Sequence, residues 1–166
     1  LTAMGKIIGG GFPIGAVAGH EKVMDMFSAS SGRAKVPHGG TFNANPVSMV
    51  AGMKAMEMLK KSNFKKLNFI GEKFREGINE VCELANIEGY AEGQFSIFGI
   101  KVFDKKLTDN TERGMTYKSK GLHRYMLEHG YWLTPGLTGV CSTVMDQSDI
   151  DPFCETLLSG IKELLG

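Results

Sequence analysis

Residues 5–16 are Gly5-Lys6-Ile7-Ile8-Gly9-Gly10-Gly11-Phe12-Pro13-Ile14-Gly15-Ala16, in which a lysine ends an apolar segment and a run of glycines follows closely. Glycines let the backbone approach a flat ligand closely. A lysine amine becomes a nucleophile when its neighbours and partial burial lower its pKa, and it then forms a Schiff base with a carbonyl compound. The alternative for Lys6 taken alone is a surface lysine whose stem covers apolar neighbours.

Two phosphate-binding motifs do not match these glycines. A P-loop ends in Gly-Lys followed by Ser or Thr, whereas Ile7 follows Lys6 here. The dinucleotide-binding fingerprint needs a third glycine where this sequence has Ile14, and Pro13 stands where its helix would begin. Neither nucleotide motif accounts for the glycine run.

A second cluster is Pro37-His38-Gly39-Gly40-Thr41-Phe42-Asn43-Ala44-Asn45-Pro46. Asn45 followed by Pro46 is typical of an N-cap and the first residue of a helix, so Gly40 and Thr41 are predicted to lie in a loop just before a helix. Such a loop can offer backbone N–H groups and a hydroxyl to an anion. An ordinary turn followed by a helix cap is the alternative for this cluster alone.

Together the two clusters resemble the class III (fold type I) pyridoxal-phosphate aminotransferases, and most of all the branch that contains glutamate-1-semialdehyde 2,1-aminomutase. The resemblance continues through Gly130–Gly139 and Ser148–Asp151 and covers essentially all 166 residues. It implies an α/β (α+β) fold. By the resemblance, residues 1–62 form the C-terminal end of the large cofactor-binding domain with its connecting helix, and residues 63–166 form the small C-terminal α+β domain.

The resemblance also implies roles for three residues. Lys6 matches the lysine that forms the internal aldimine with pyridoxal 5'-phosphate and then moves the proton between the substrate carbon and C4′ of the cofactor. Thr41 matches the threonine that reaches across a dimer interface to the phosphate of the other subunit's cofactor, with the Gly40 amide nearby. A small amino or oxo substrate and a homodimer, or a larger homo-oligomer, are therefore expected.

Three departures from the family pattern bear on function. Gly136–Val144 contains no arginine or lysine to clamp a substrate carboxylate, and the acidic and aromatic pattern of the aminomutases does not follow Leu133. The substrate, and the choice between aminotransferase and aminomutase, therefore stay open. No acidic residue precedes Lys6 to pair with the pyridine nitrogen. We expect the C-terminal part of a longer enzyme; a catalytically inactive fragment that acts as a folded assembly or binding module is the alternative.

Composition restricts the partners and the compartment. A formal net charge of +1 argues against nucleic-acid binding, and no apolar stretch is long enough to span a bilayer. Cys82, Cys141 and Cys154 are odd in number and lack metal-ligand spacing, so we expect reduced thiols in a cytoplasmic protein without a metal site.

Hydrophobic periodicity predicts the remaining elements. The helix Asn45–Lys61 is apolar almost all round and is expected to be buried on most sides. The predicted strands are Leu1–Met4, Ile14–Ala18, Ser96–Phe103, Tyr131–Thr134 and Val140–Thr143. The other predicted helices are Glu21–Phe27, a long helix with an apolar face from Leu67 to Ala85, Tyr117–His129, and a last helix that starts at the capping pattern Ser148-x-x-Asp151.

Overall fold

The computed structural model describes residues 1–30, 32–103 and 117–165. The polar sequence of Leu107–Thr116 predicts a connection between elements, and this stretch lies outside the described residues. Helices and two small antiparallel sheets make up the described chain, which confirms the predicted α+β class. None of the described helices is both long enough and apolar enough to cross a membrane.

The chain divides into two compact units, Leu1–Lys60 and Lys61–Gly166. Each unit contains one of the two sheets. The assignment of residues 1–62 and 63–166 to two domains of a larger fold stays a prediction, because a division by contacts does not say which larger domain a unit belongs to.

The first unit begins with a β-hairpin at the two predicted strands. β1 (Thr2–Gly5) and β2 (Gly15–Ala18) pair antiparallel, and Gly5 lies opposite Gly15. Between them the chain forms a 3-10 turn over Lys6–Gly9 and continues through the glycine run. The hairpin therefore holds Lys6, the predicted cofactor lysine, directly after the end of β1.

A short helical segment follows the hairpin. The sequence predicts one helix over Glu21–Phe27, and the structure divides it into α1 (Glu21–Met24) and a 3-10 turn over Asp25–Phe27. The Nδ1 atom of His20 accepts a hydrogen bond from the backbone N–H of Lys22 at 3.3 Å. His20 therefore caps the helix.

The next helix, α2, spans Pro46–Met58 and confirms the predicted start. The Asn45 side chain accepts hydrogen bonds from the backbone N–H groups of Val47 and Ser48, each at 3.1 Å. The predicted end at Lys61 is wrong, because the backbone turns to an extended conformation one residue after Met58. No glycine or proline marks this end in the sequence.

The expected burial of α2 is not found within this chain. Only Ser48 and Gly52 are buried, whereas Val50 and Met53 are 68% and 62% exposed. A helix that is apolar on most sides is expected to be buried, but its sequence does not determine which residues cover it. In the described first unit, the neighbour of the buried side of α2 is the turn that contains Lys6.

The described part of the second unit contains three long helices and one three-stranded sheet. In chain order the elements are α3 (Lys61–Leu84), β3 (Gly89–Glu92), β4 (Ile97–Val102), α4 (Tyr117–Glu128), β5 (Thr138–Val140) and α5 (Ile150–Leu165). The sheet order is β3-β4-β5, with antiparallel neighbours. β4 and α4 confirm predicted elements, and Gly130 lies just after α4 with a φ of 90°, a conformation that glycine adopts easily. β3 was missed because its four residues are too few to show a clear alternation.

Two strand predictions in this unit are wrong. Tyr131–Thr134 forms no strand, because the chain turns here: the Leu137 N–H donates to the Thr134 carbonyl at 2.8 Å, and the Thr134 N–H donates to the Thr138 carbonyl at 2.9 Å. The strand predicted at Val140–Thr143 is displaced: the observed strand, β5, covers Thr138–Val140 and shares only Val140 with the prediction. Pairing with β4, a non-local contact, sets these limits.

The core of the second unit forms between the two helices with the clearest amphipathic patterns. Buried side chains on α3 and α5 confirm the predicted faces: Ile70, Phe74, Ile78, Val81, Ile150, Phe153, Leu157 and Ile161. Phe74 stacks on Phe98 of β4 at 4.7 Å between ring centroids and meets Phe153 edge-on at 5.1 Å. Each phenylalanine ring removes a large apolar area from water, so these three side chains contribute strongly to the stability of the core.

The capping box before the last helix lies two residues earlier in the chain than the predicted one. Asp146 accepts a hydrogen bond from the Ser148 N–H at 2.8 Å, and Asp149 accepts one from the Asp146 N–H at 2.9 Å. This reciprocal capping box opens a 3-10 turn that leads into α5. The predicted pair Ser148 and Asp151 has the same spacing, so the local pattern alone could not choose between the two registers.

Candidate active site

Lys6 lies where β1 enters the 3-10 turn, in a backbone conformation that is unusual for a lysine. Its φ is 53°, in the left-handed region. The turn is closed by a hydrogen bond from the Gly10 N–H to the Ile7 carbonyl at 3.1 Å, and Gly10 and Gly11 also have positive φ values, of 58° and 94°. A residue other than glycine pays about 1–2 kcal/mol in this region, so the surrounding structure must hold Lys6 there.

The Lys6 side chain lines an open pocket of about 480 Å³, together with Ile7, Gly11, Phe12 and Pro13. Lys6 is the titratable group among these lining residues, and Lys6, Ile7 and Phe12 are all exposed. A primary amine beside apolar surface, with a glycine that leaves room for close approach, has the chemistry needed to receive a flat aromatic aldehyde.

The turn that carries Lys6 rests directly on the backbone of α2. A Cβ atom added to Gly10 would lie 2.5 Å from the carbonyl oxygen of Ala51. A Cβ added to Gly52 would overlap the carbonyl oxygen of Ile8. Gly52 is not among the site residues predicted from the sequence, although an isolated glycine inside an apolar helix is a recognisable signal because it lowers helix propensity.

Gly40 and Thr41 lie in the predicted loop, in the same unit as Lys6. Thr41 is exposed, the Asn43 N–H donates to the Gly40 carbonyl at 3.0 Å, and the chain then enters the capped start of α2. Neither Gly40 nor Thr41 lines the pocket at Lys6. The structure therefore presents an amine and a hydroxyl as two separate exposed features of the first unit.

Ala44 in this loop also adopts a left-handed backbone, with φ 54°. It directly precedes the capping residue Asn45, and the Asn45 N–H donates to the Phe42 carbonyl at 3.1 Å. The loop that carries Thr41 is therefore a tight turn at the helix start, and its shape requires a conformation that glycine adopts more easily.

The cysteines do not form a second reactive centre. Cys82, Cys141 and Cys154 are unpaired, as expected, and the first two are buried. Burial, with the nearby carboxylates of Asp151 and Glu80 adding to it, raises the pKa of the Cys154 thiol to about 11. A thiol held in the protonated form is a poor nucleophile. In the described part of the chain, no group of His, Cys, Asp or Glu side chains is arranged to hold a metal ion.

Comparison with known proteins identifies the family and agrees with this fold. Residues 1–142 match the family described as aminotransferase class-III, and the chain belongs to that family. It is 36% identical to a glutamate-1-semialdehyde 2,1-aminomutase of Methanothrix thermoacetophila over 98% of its length, and 34% identical to one of Sulfolobus acidocaldarius. The chain spans 38% of the Methanothrix protein and 40% of the Sulfolobus protein.

Solved structures show the same likeness. An omega-transaminase from Sphaerobacter thermophilus superposes with a TM-score of 0.87 at 38% identity, covering 99% of this chain and 38% of that one. A structure described as a transaminase with PLP bound superposes with a TM-score of 0.85 at 29% identity, covering 98% of this chain and 38% of the other. The transaminase likeness therefore extends over both units and is not limited to the glycine-rich turn.

Proposed function

We propose that this chain contributes the cofactor lysine of a pyridoxal-phosphate-dependent class-III aminotransferase or aminomutase, which transfers the amino group of a small amino or oxo substrate. The observation that carries the proposal is Lys6 itself. Its amine projects beside an open, mostly apolar pocket from a backbone held in the left-handed region. Family membership and a structural relative described as having PLP bound support the choice of cofactor.

When bound, pyridoxal phosphate supplies an electron sink for negative charge on the substrate carbon. Lys6 would hold the cofactor through its Nζ atom. Once released, the same amine would move the proton between the amino-bearing carbon of the substrate and C4′ of the cofactor. The apolar side chains of Ile7 and Phe12 would offer apolar surface to the cofactor ring. Gly11 would leave room for the ring to approach the backbone.

Thr41 and the Gly40 N–H are proposed to bind the cofactor phosphate. A hydroxyl and a backbone amide just before a helix N-terminus are suitable donors for an anion. Because Thr41 does not line the pocket at Lys6, we propose that it serves the site of a second subunit in a homodimer or larger homo-oligomer. In the same proposal, residues 1–62 complete a large cofactor domain, residues 63–166 form a small domain, and the protein works in the cytoplasm.

The reaction subtype stays open between aminotransferase and aminomutase. The matched relatives include aminomutases at 36% identity and an omega-transaminase at 38% identity, and these values do not separate the two. Both reactions need the same lysine and the same cofactor, so the tests of Lys6 and Thr41 apply to either.

The test of Lys6 uses the full-length protein loaded with pyridoxal phosphate. Borohydride reduction fixes the cofactor on its lysine, and peptide mass mapping then identifies that residue. We expect the label on Lys6, and we expect Lys6→Ala to lower turnover by at least about 10²–10⁴-fold. Lys22→Ala, an exposed lysine of the same unit, is the matched control and should leave labelling and turnover unchanged. Labelling of another lysine, or wild-type turnover in Lys6→Ala, would reject the assignment.

Thr41 is tested by cofactor affinity. Loss of one hydrogen bond to a charged group costs roughly 1.5–3 kcal/mol, so Thr41→Ala should weaken pyridoxal phosphate binding while Thr41→Ser retains most of it. A mixed dimer of one Lys6→Ala subunit and one Thr41→Ala subunit tests the cross-subunit role. If Thr41 serves the neighbouring site, one site of that dimer has both wild-type residues and keeps wild-type affinity. Weak binding at every active site would show that Thr41 serves its own subunit.

A further inference from the structure

We infer that Gly52 of α2 is a positioning residue for Lys6: the absence of a side chain at residue 52 sets where the Lys6 amine stands in its pocket. The inference rests on the proposed role of Lys6 and adds a residue that no sequence motif assigns. Gly52 lies far along the chain from the lysine and touches no atom that reacts.

The contact between α2 and the Lys6 turn is made by backbone atoms on both sides. Gly52 is buried, and a Cβ there would overlap the carbonyl oxygen of Ile8 and lie 3.3 Å from its carbonyl carbon. From the other side, a Cβ on Gly10 would lie 2.5 Å from the Ala51 carbonyl oxygen. Real Cβ atoms essentially never come within 3.0 Å of such neighbours. Because backbone atoms cannot rotate away, a methyl group at residue 52 must move the turn or the helix.

Ile8 belongs to the same 3-10 turn as Lys6, so a shift of Ile8 is passed to the lysine. The turn spans Lys6–Gly9, and Lys6 is its first residue. Its φ of 53° is a strained conformation that persists only while its neighbours hold it. Ile14 holds the turn from the hairpin side, since its Cγ2 would lie 2.6 Å from a Cβ on Gly9. Gly52 and Ile14 are therefore two contacts that keep the turn, and with it Lys6, in one place.

A displacement on the order of 1 Å at a reacting group can reduce a rate about 10²-fold, even when the altered residue is remote from the chemistry. We therefore expect Gly52→Ala to slow attachment of pyridoxal phosphate to Lys6 by about 10- to 100-fold. We also expect a shift in the pH at which the absorption band of the bound cofactor changes. A defect that only destabilises the fold would change neither quantity in the folded molecules.

The experiment measures both quantities in the full-length protein, with two controls. Gly71→Ala introduces the same kind of overlap, with the carbonyl oxygen of Phe95, but in the second unit. Met53→Ala shortens the exposed side chain next to Gly52 and adds no atom that could overlap the turn. In folded molecules of both controls, the attachment rate and the pH at which the absorption band changes should equal the wild-type values. This should hold even if Gly71→Ala lowers the melting temperature. Wild-type attachment rate and band pH in Gly52→Ala would overturn the inference.

Two further measurements keep the test decisive. If Gly52→Ala does not fold, Ile14→Ala loosens the same turn without an overlap and should slow attachment in the same direction, and an unchanged rate would overturn the inference. Borohydride mapping of the unaltered protein separates this inference from the proposed function. A label away from Lys6 rejects the proposed function, whereas a label on Lys6 with Gly52→Ala behaving like Gly71→Ala rejects only the positioning role.

Discussion

The cap of α2 offers a prediction whose size follows from the structure. Asn45 accepts two hydrogen bonds from backbone N–H groups of the first helical turn, those of Val47 and Ser48, each at 3.1 Å. Pro46 at the first helical position has no N–H group, so these are the first two N–H groups of the helix. Asn45→Ala removes the acceptor for both.

The expected loss is about 1–2 kcal/mol, in the upper part of the usual range for a capping residue. Ser48 is only 1% exposed, so water cannot easily replace the lost acceptor at its N–H. A loss of this size corresponds to about a 5- to 30-fold change in the opening equilibrium of the first turn.

Hydrogen exchange measured by mass spectrometry reports this opening directly. Peptides from α2 should exchange about 5- to 30-fold faster in Asn45→Ala, while peptides from α5 in the other unit should be unchanged. Asn45→Ser keeps an oxygen acceptor at the cap and should remain close to wild type. Equal exchange in Asn45→Ala and wild type, or equal loss in the Ala and Ser variants, would refute the reasoning.

Three further predictions come from single residues. Ala44→Gly should stabilise the first unit by about 0.5–1 kcal/mol in thermal unfolding, because glycine relieves the positive φ of 54° at this position, and a destabilised variant would contradict this. Cys154 should react with iodoacetamide at pH 8 about 100-fold more slowly than a thiol of ordinary pKa, since its pKa of about 11 leaves little thiolate; equal rates would contradict this. Hydrogen bonds from the Ser148 hydroxyl and N–H lower the pKa of Asp146 below its ordinary 3.8. The stabilisation of the folded state by the ionised Asp146 is therefore complete above pH 3.8 and is lost as the pH falls through the lower pKa of the folded state. Asp146→Asn should remove this pH dependence in acid unfolding curves, and an unchanged curve would count against it.

The elements that the sequence predicts well are those with a strong local signal. The Asn45-Pro46 pair marks the start of α2, and the spacing of apolar residues marks the buried faces of α3 and α5, where Phe74 and Phe153 are 3% and 2% exposed. These signals act within a few residues, so no knowledge of distant contacts is needed. The missed β3 and the displaced β5 lie where pairing with β4 sets the limits, whereas the wrong strand at Tyr131–Thr134 lies where the chain turns.

For the candidate site, the local sequence predicts the chemistry: an amine beside a glycine run and a Gly-Gly-Thr loop before a capped helix. Residue type and spacing carry this information because they limit which backbone shapes and which reactions are accessible. Two features of the site follow only from packing: Lys6 is held at φ 53° by a turn that rests on Gly52, and Thr41 does not line the lysine pocket. Contacts between backbone atoms that are distant in sequence depend on how the hairpin and the helix meet, and no local pattern encodes that packing.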